Sequence, residues 1–105
     1  MDNNTTTKTP PTLAELRARR DEIIALAERY GATNVRVFGS VARGDATSES
    51  DVDLLVTARK DTTVFDMVGL WLDLKALLGC EVSLITDGIN DKAFLQRIEV
   101  DAVTL

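Results

Sequence analysis

The hydrophobic positions change period along the chain, and those changes mark its elements. Leu13, Leu16, Ile23, Ile24, Ala27 and Tyr30 recur at helical spacing between Thr12 and Gly31, which predicts an amphipathic helix. Thr12 followed by Glu15 has the form of a capping box at its start, and Gly31 suits its end. Asn34 to Phe38, Asp51 to Thr57 and Glu81 to Thr86 are short hydrophobic runs that read as strands. Thr63 and Asp66 open a further helix, along which Val64, Met67, Val68, Trp71, Leu74 and Leu78 line one face before Gly79 closes it. A last short helix, about Asp91 to Ile98, presents Phe94, Leu95 and Ile98, and Val103-Thr104-Leu105 can pack alongside. Tyr30 and Trp71 are read as core residues on this spacing.

The predicted order of helix, strand, turn or short helix, strand, helix, strand, helix implies an α/β fold. It would be a small mixed β-sheet of about three strands with helices packed on it. Residues 1–11 (MDNNTTTKTPP) are polar and end in Pro-Pro, so a disordered tail is expected there and one domain over residues 12–105.

Composition narrows the chemistry. The formal net charge of −5 argues against direct nucleic-acid binding, which calls for a basic face. Arg17, Arg19 and Arg20 cluster on the first predicted helix and are read as a solvated face. With no histidine and one cysteine, Cys80, there is no internal disulfide and no structural zinc set. Cys80 follows Gly79 at a predicted turn and is read as a small buried thiol. No apolar run approaches membrane-spanning length and no leader pattern is seen, so the expected location is cytoplasmic, with no membrane partner.

The stretch that reads as chemistry runs from Val37 to Val56. Asp51 and Asp53 lie two positions apart on a predicted strand and so share a face. Two like charges side by side resist desolvation, and a cation between them, Mg²⁺ or Mn²⁺, relieves both. Gly39 lets the backbone approach a ligand, and Ser40 adds a hydroxyl at the start of the next segment, where backbone N–H groups favour an anion. Together they form a candidate phosphate seat, with Arg43 as a candidate cation toward a polyphosphate. Gly44 permits the turn that follows, and Ser50 is read as capping the next strand. Gly39 and Ser40 leave the end of the first strand and Asp51 opens the second. One site therefore contains both only if those strands run antiparallel, while a crossover helix makes the third strand parallel to the second.

Residues 37–56, with Gly-Ser-Val-Ala-Arg-Gly followed by Ser-Asp-Val-Asp-Leu-Leu-Val, resemble the signature of the nucleotidyltransferase superfamily typified by DNA polymerase beta. Within it they are most similar to the minimal nucleotidyltransferases, antitoxins paired with HEPN-domain ribonuclease toxins. The resemblance implies a nucleotidyltransferase fold and transfer of AMP from Mg·ATP to a tyrosine hydroxyl of the partner toxin. By the same resemblance, Gly39 and Ser40 hold the triphosphate, and Asp51 and Asp53 ligate the metal.

The superfamily pattern places a third carboxylate on the next strand, where this chain has Val82-Ser83-Leu84. A serine hydroxyl is neither a strong metal ligand nor a base. Glu81, two residues earlier, is the candidate substitute and the third catalytic candidate beside Asp51 and Asp53. The alternatives are activation of the acceptor by metal alone, or a weakened domain that neutralises its toxin by binding. A chain of 105 residues covers little of an ATP molecule, so a homo- or hetero-oligomer is expected to complete the pocket.

Overall fold

A computed structural model describes residues 9–105. Thr12 caps α1 (Leu13–Ala18) through a full capping box with Glu15, and α2 (Arg20–Arg29) follows after a break at Arg19. The single helix expected over this stretch is thus two segments. At the break the Arg19 N–H bonds Leu16 C=O at 3.0 Å, one residue short of the α-helical step. Its guanidinium then reaches the Leu77 carbonyl at 2.9 Å. Arg17 likewise donates to Thr104 C=O at 2.8 Å. Two of the three clustered arginines therefore tie elements together, rather than forming only a solvated face. Of the expected tail, residues 1–8 lie outside the described residues, while Pro10, inside them, is buried. It lines a hollow with Val41 and Ala42 of the helix that follows the first strand.

β1 (Ala32–Phe38) starts two residues before the expected strand. Asn34 sits at φ +53, the left-handed region that Asn tolerates, and the β1/β2 register shifts between Thr33 and Arg36. The bulge keeps Ala32, Val35 and Val37 all in the core. After α3 (Gly39–Arg43) come β2 (Val52–Ala58), α4 (Val64–Leu78), β3 (Val82–Thr86) and α5 (Lys92–Glu99). The terminal segment forms a fourth strand, β4 (Val103–Thr104). Asp51 and Glu81 each stand one residue before the strand they were expected to open. The sheet order is β3-β2-β1-β4. β1 is antiparallel to β2, as the motif requires, and also to β4, and β2 is parallel to β3, as the crossover helix implies.

One face of this sheet holds the main core: Val35, Val37, Val52, Leu54 and Val56 meet Leu16, Ile23, Ala27, Leu70 and Leu74 of the helices. The alternate positions point the other way. There Leu55 and Phe38 are buried, and Arg36 forms a part-buried cluster with Asp87 at 2.8 Å and Thr57 at 3.3 Å. α5 docks on that side, its Glu99 within 3.9 Å of Arg36. Trp71 packs against the main core, as expected, and its indole N–H donates to Val82 C=O at 2.7 Å. Tyr30 also packs there, and its hydroxyl donates to Asp73 at 2.5 Å. Cys80 is half-buried at the core margin. Among the described residues no helix is long and apolar enough to cross a membrane.

Candidate active site

β1 ends at Phe38 and the chain turns at once into α3. Gly39 makes the turn at φ +72, where a side chain is strained. It is also confined from outside, because a Cβ there would collide with the carboxylate of Asp53, its Cγ only 3.2 Å away. Asp53 is half-buried and lies opposite Phe38 in the β1/β2 register. Ser40 follows in the first turn of α3, where its carbonyl accepts from the Gly44 N–H at 2.9 Å and the Asp45 N–H at 3.0 Å. Gly44, at φ +84, closes the helix. The antiparallel pairing thus brings Gly39 and Ser40 to the same sheet end as Asp53.

Burial holds the Asp53 carboxyl above the ordinary aspartate value, and the nearby Asp51 charge pushes it the same way. Arg43 acts in the opposite sense. The pair carries two negative charges, one partly withdrawn from water, and offers only oxygen donors. That chemistry fits a hard divalent cation such as Mg²⁺ or Mn²⁺. Among the described residues, no group of three His, Cys, Asp or Glu side chains comes together as a metal site. The pair therefore has no third member at its side.

The residue in register with Asp53 on β3 is Ser83. Glu81 stands at the mouth of that strand, its carbonyl accepting from the Val52 N–H at 3.0 Å. Its side chain is 70% exposed and pairs with Lys75 at 3.4 Å. Lys75 in turn lies 4.4 Å from the centre of the Trp71 ring, a cation–π contact. An open cleft of about 440 Å³ is lined by Asp51, Glu81, Lys75, Ser48, Glu49, Ser50, Gly79 and Cys80. Asp51 borders this cleft, whereas Gly39, Ser40 and Asp53 do not line it. Ser50 does not simply cap β2: its hydroxyl accepts from the Thr47 N–H at 2.9 Å within the preceding turn.

Arg43 is held by Asp101 at 2.7 Å and Asp45 at 3.3 Å, and these two hydrogen bonds raise its already high pKa. A polyphosphate at this arginine would compete with both carboxylates. Lys75 and Asp101 were not singled out in the sequence. Arg43 and Asp101 are 58 residues apart, so no local pattern could have revealed Asp101; Lys75 lies one helical turn after Trp71 and six residues before Glu81, a spacing that becomes contact only through the fold of the turn from α4 to β3.

Residues 23–104 match the family model for the nucleotidyltransferase domain. The protein adenylyltransferase MntA of Thermococcus cleftensis is 42% identical over 60 residues, which are 57% of this chain and 61% of that protein. This chain thus spans less than two thirds of that relative. A solved structure assigned as a minimal nucleotidyltransferase is 41% identical, with a TM-score of 0.77, over 90% of this chain and 97% of the other. The fold is shared with a structure of a tri-AMPylated Shewanella oneidensis HEPN toxin in complex with an MNT antitoxin. There the identity is 18% and the TM-score 0.64, over 84% and 69% of the two chains.

Proposed function

This chain belongs to the nucleotidyltransferase domain family, and we propose that it is an antitoxin that transfers AMP from Mg·ATP to a tyrosine hydroxyl of a HEPN-type ribonuclease toxin. The observation that carries this reading is the packing of Gly39 against Asp53 at the antiparallel β1/β2 end. Phosphate seat and carboxylate pair then form one site. The named activity of the Thermococcus relative supports the reaction class. The complex from Shewanella supports the kind of partner.

In this reading Gly39 and Ser40 receive the outer phosphates at the start of α3, and Arg43 neutralises them on leaving Asp45 or Asp101. Asp51 and Asp53 hold the divalent ion, which when bound supplies charge neutralisation at the α-phosphate and at the leaving pyrophosphate. The tyrosine oxygen bonds to the α-phosphorus as its bond to the β-phosphate bridging oxygen breaks. Pyrophosphate leaves and the hydroxyl proton passes to water. The chain contributes orientation and charge rather than a covalent step. The cleft beside Asp51 is the side from which the acceptor approaches. Glu81 borders that cleft and, while held by Lys75, is not the general base.

One observation favours a second reading. Ser83 is the register partner of Asp53 on β3, and with no third carboxylate there the domain would neutralise its toxin by covering it. Incubating the protein with Mg·ATP and the HEPN partner and weighing the partner separates the two. A gain of AMP units, lost in Asp53→Ala, supports transfer. A stable complex with unchanged partner mass overturns it.

A further inference from the structure

The two strands that flank Asp53 bring it no charge. On β1 its register partner is Phe38, and on β3 it is Ser83. Ser83 is half-buried and shares the sheet face of Asp53, one strand spacing of about 4.8 Å away. The other carboxylates around the pair are committed elsewhere. Asp45 and Asp101 are drawn to Arg43, at 3.3 and 2.7 Å, and Glu81 pairs with Lys75 at 3.4 Å. Glu49 is exposed in the turn before Asp51, and among the described residues no third acid joins the pair.

One Mg²⁺ or Mn²⁺ is served by one or two carboxylates, with water and phosphate oxygens completing its shell. Asp51 and Asp53 suffice for that, and their two negative charges balance one such ion. Two ions about 4 Å apart demand more. They repel four times as strongly as two unit charges at the same distance. Phosphate oxygens serve the ion that the nucleotide carries, so a second ion, toward the acceptor, depends on the carboxylates of the chain itself. Here it would meet the same two acids, with the positive charge of Arg43 acting on Asp53 as well. The neutral hydroxyl of Ser83 offsets none of this repulsion. We propose, on the nucleotidyl-transfer reading above, that the site holds a single divalent ion with its nucleotide and that Ser83 sets this limit. The acceptor hydroxyl is then left without an ion of its own.

Equilibrium dialysis of the full chain with Mn²⁺ and an ATP analogue whose α,β-bridging oxygen is replaced by methylene counts the ions retained per bound analogue. One is expected for the parent and two for Ser83→Asp. Ser83→Asn, isosteric with aspartate but uncharged, should stay at one. Asp51→Asn combined with Asp53→Asn gives the baseline for ions held elsewhere on the acidic surface. Melting supplies a second readout. Without metal, Ser83→Asp should melt below the parent, because it sets a third carboxylate beside the half-buried Asp53. Mn²⁺ should then raise its melting temperature by more than that of the parent. Two ions on the parent, or one on a folded Ser83→Asp, overturns the proposal. Should that variant not fold, as judged by circular dichroism, the parent count decides alone. An analogue that is not retained at all overturns the nucleotide reading and the ion count with it, a result distinct from a count of two.

Discussion

Gly39 rests its backbone against the side chain of Asp53, so closely that a methyl group on Gly39 would enter the space of the Asp53 carboxylate. A residue of the phosphate seat thereby fixes the position of a candidate metal ligand. Gly39→Ala is expected to lower stability by about 1–3 kcal/mol from the positive φ and the clash. It should cut AMP transfer by about a hundredfold, since a shifted Asp53 misplaces the reacting groups. Gly44→Ala is the control: φ is +84 but open space surrounds the position. It should cost only the backbone strain, about 1–2 kcal/mol, with transfer near the parent rate. Urea titration and partner mass read the two effects separately.

The Asp53 carboxyl is raised by burial and by Asp51, so ionising it opposes folding. A folded-state pKa above the unfolded one gives stability that is full below the ordinary aspartate value of 3.8. That stability is lost as pH rises through the raised value. Asp53→Asn is therefore expected to melt a few degrees above the parent at pH 7, the gap closing on acidification, while transfer is abolished. Added Mg²⁺ should raise the melting temperature of the parent and not of the variant. A variant that melts lower at pH 7 contradicts this account.

Glu81 is committed to Lys75 and largely exposed. Replacing it with alanine is expected to leave transfer within about threefold of the parent and stability within about 0.5 kcal/mol. A loss of about a hundredfold would instead make it the missing carboxylate. Single-turnover rates with saturating Mg·ATP distinguish the outcomes.

Tyr30 donates its hydroxyl to Asp73, and this bond, more than burial, raises its pKa above 10.0. The contribution is complete below pH 10.0 and is lost as pH rises through the raised value. Tyr30→Phe should lower the melting temperature at pH 8, with the difference shrinking on going above pH 10.0. The Tyr30 ring also abuts Gly69, where a Cβ would lie 2.7 Å from Cε1. Gly69→Ala should thus destabilise the fold, although alanine is the better helix former.

The elements were legible where local chemistry decides them. Thr12 with Glu15 and Thr63 with Asp66 form the two complete capping boxes, and Gly79 ends α4 in the left-handed region. The antiparallel β1/β2 pairing also followed, because the motif needs Gly39 and the aspartates at one sheet end, and the parallel β2/β3 pairing followed from a connecting helix of crossover length. The break at Arg19 and the burial of Pro10 did not follow. Both depend on partners distant in sequence, Leu77 for Arg19 and α3 for Pro10.

The sequence by itself determined the family, the order of helices and strands, and the pair of acids beside a Gly-Ser turn. Those properties reside in residue type and short spacing. Only the tertiary structure decided that Ser83 is the register partner of Asp53, that Glu81 goes to Lys75, and that Arg43 is held by Asp101. The Ser83 and Asp101 contacts join residues far apart in the chain, and the Glu81–Lys75 pair spans the turn from α4 to β3. Their formation depends on how the sheet is registered and how the helices pack, and no short stretch of sequence encodes that.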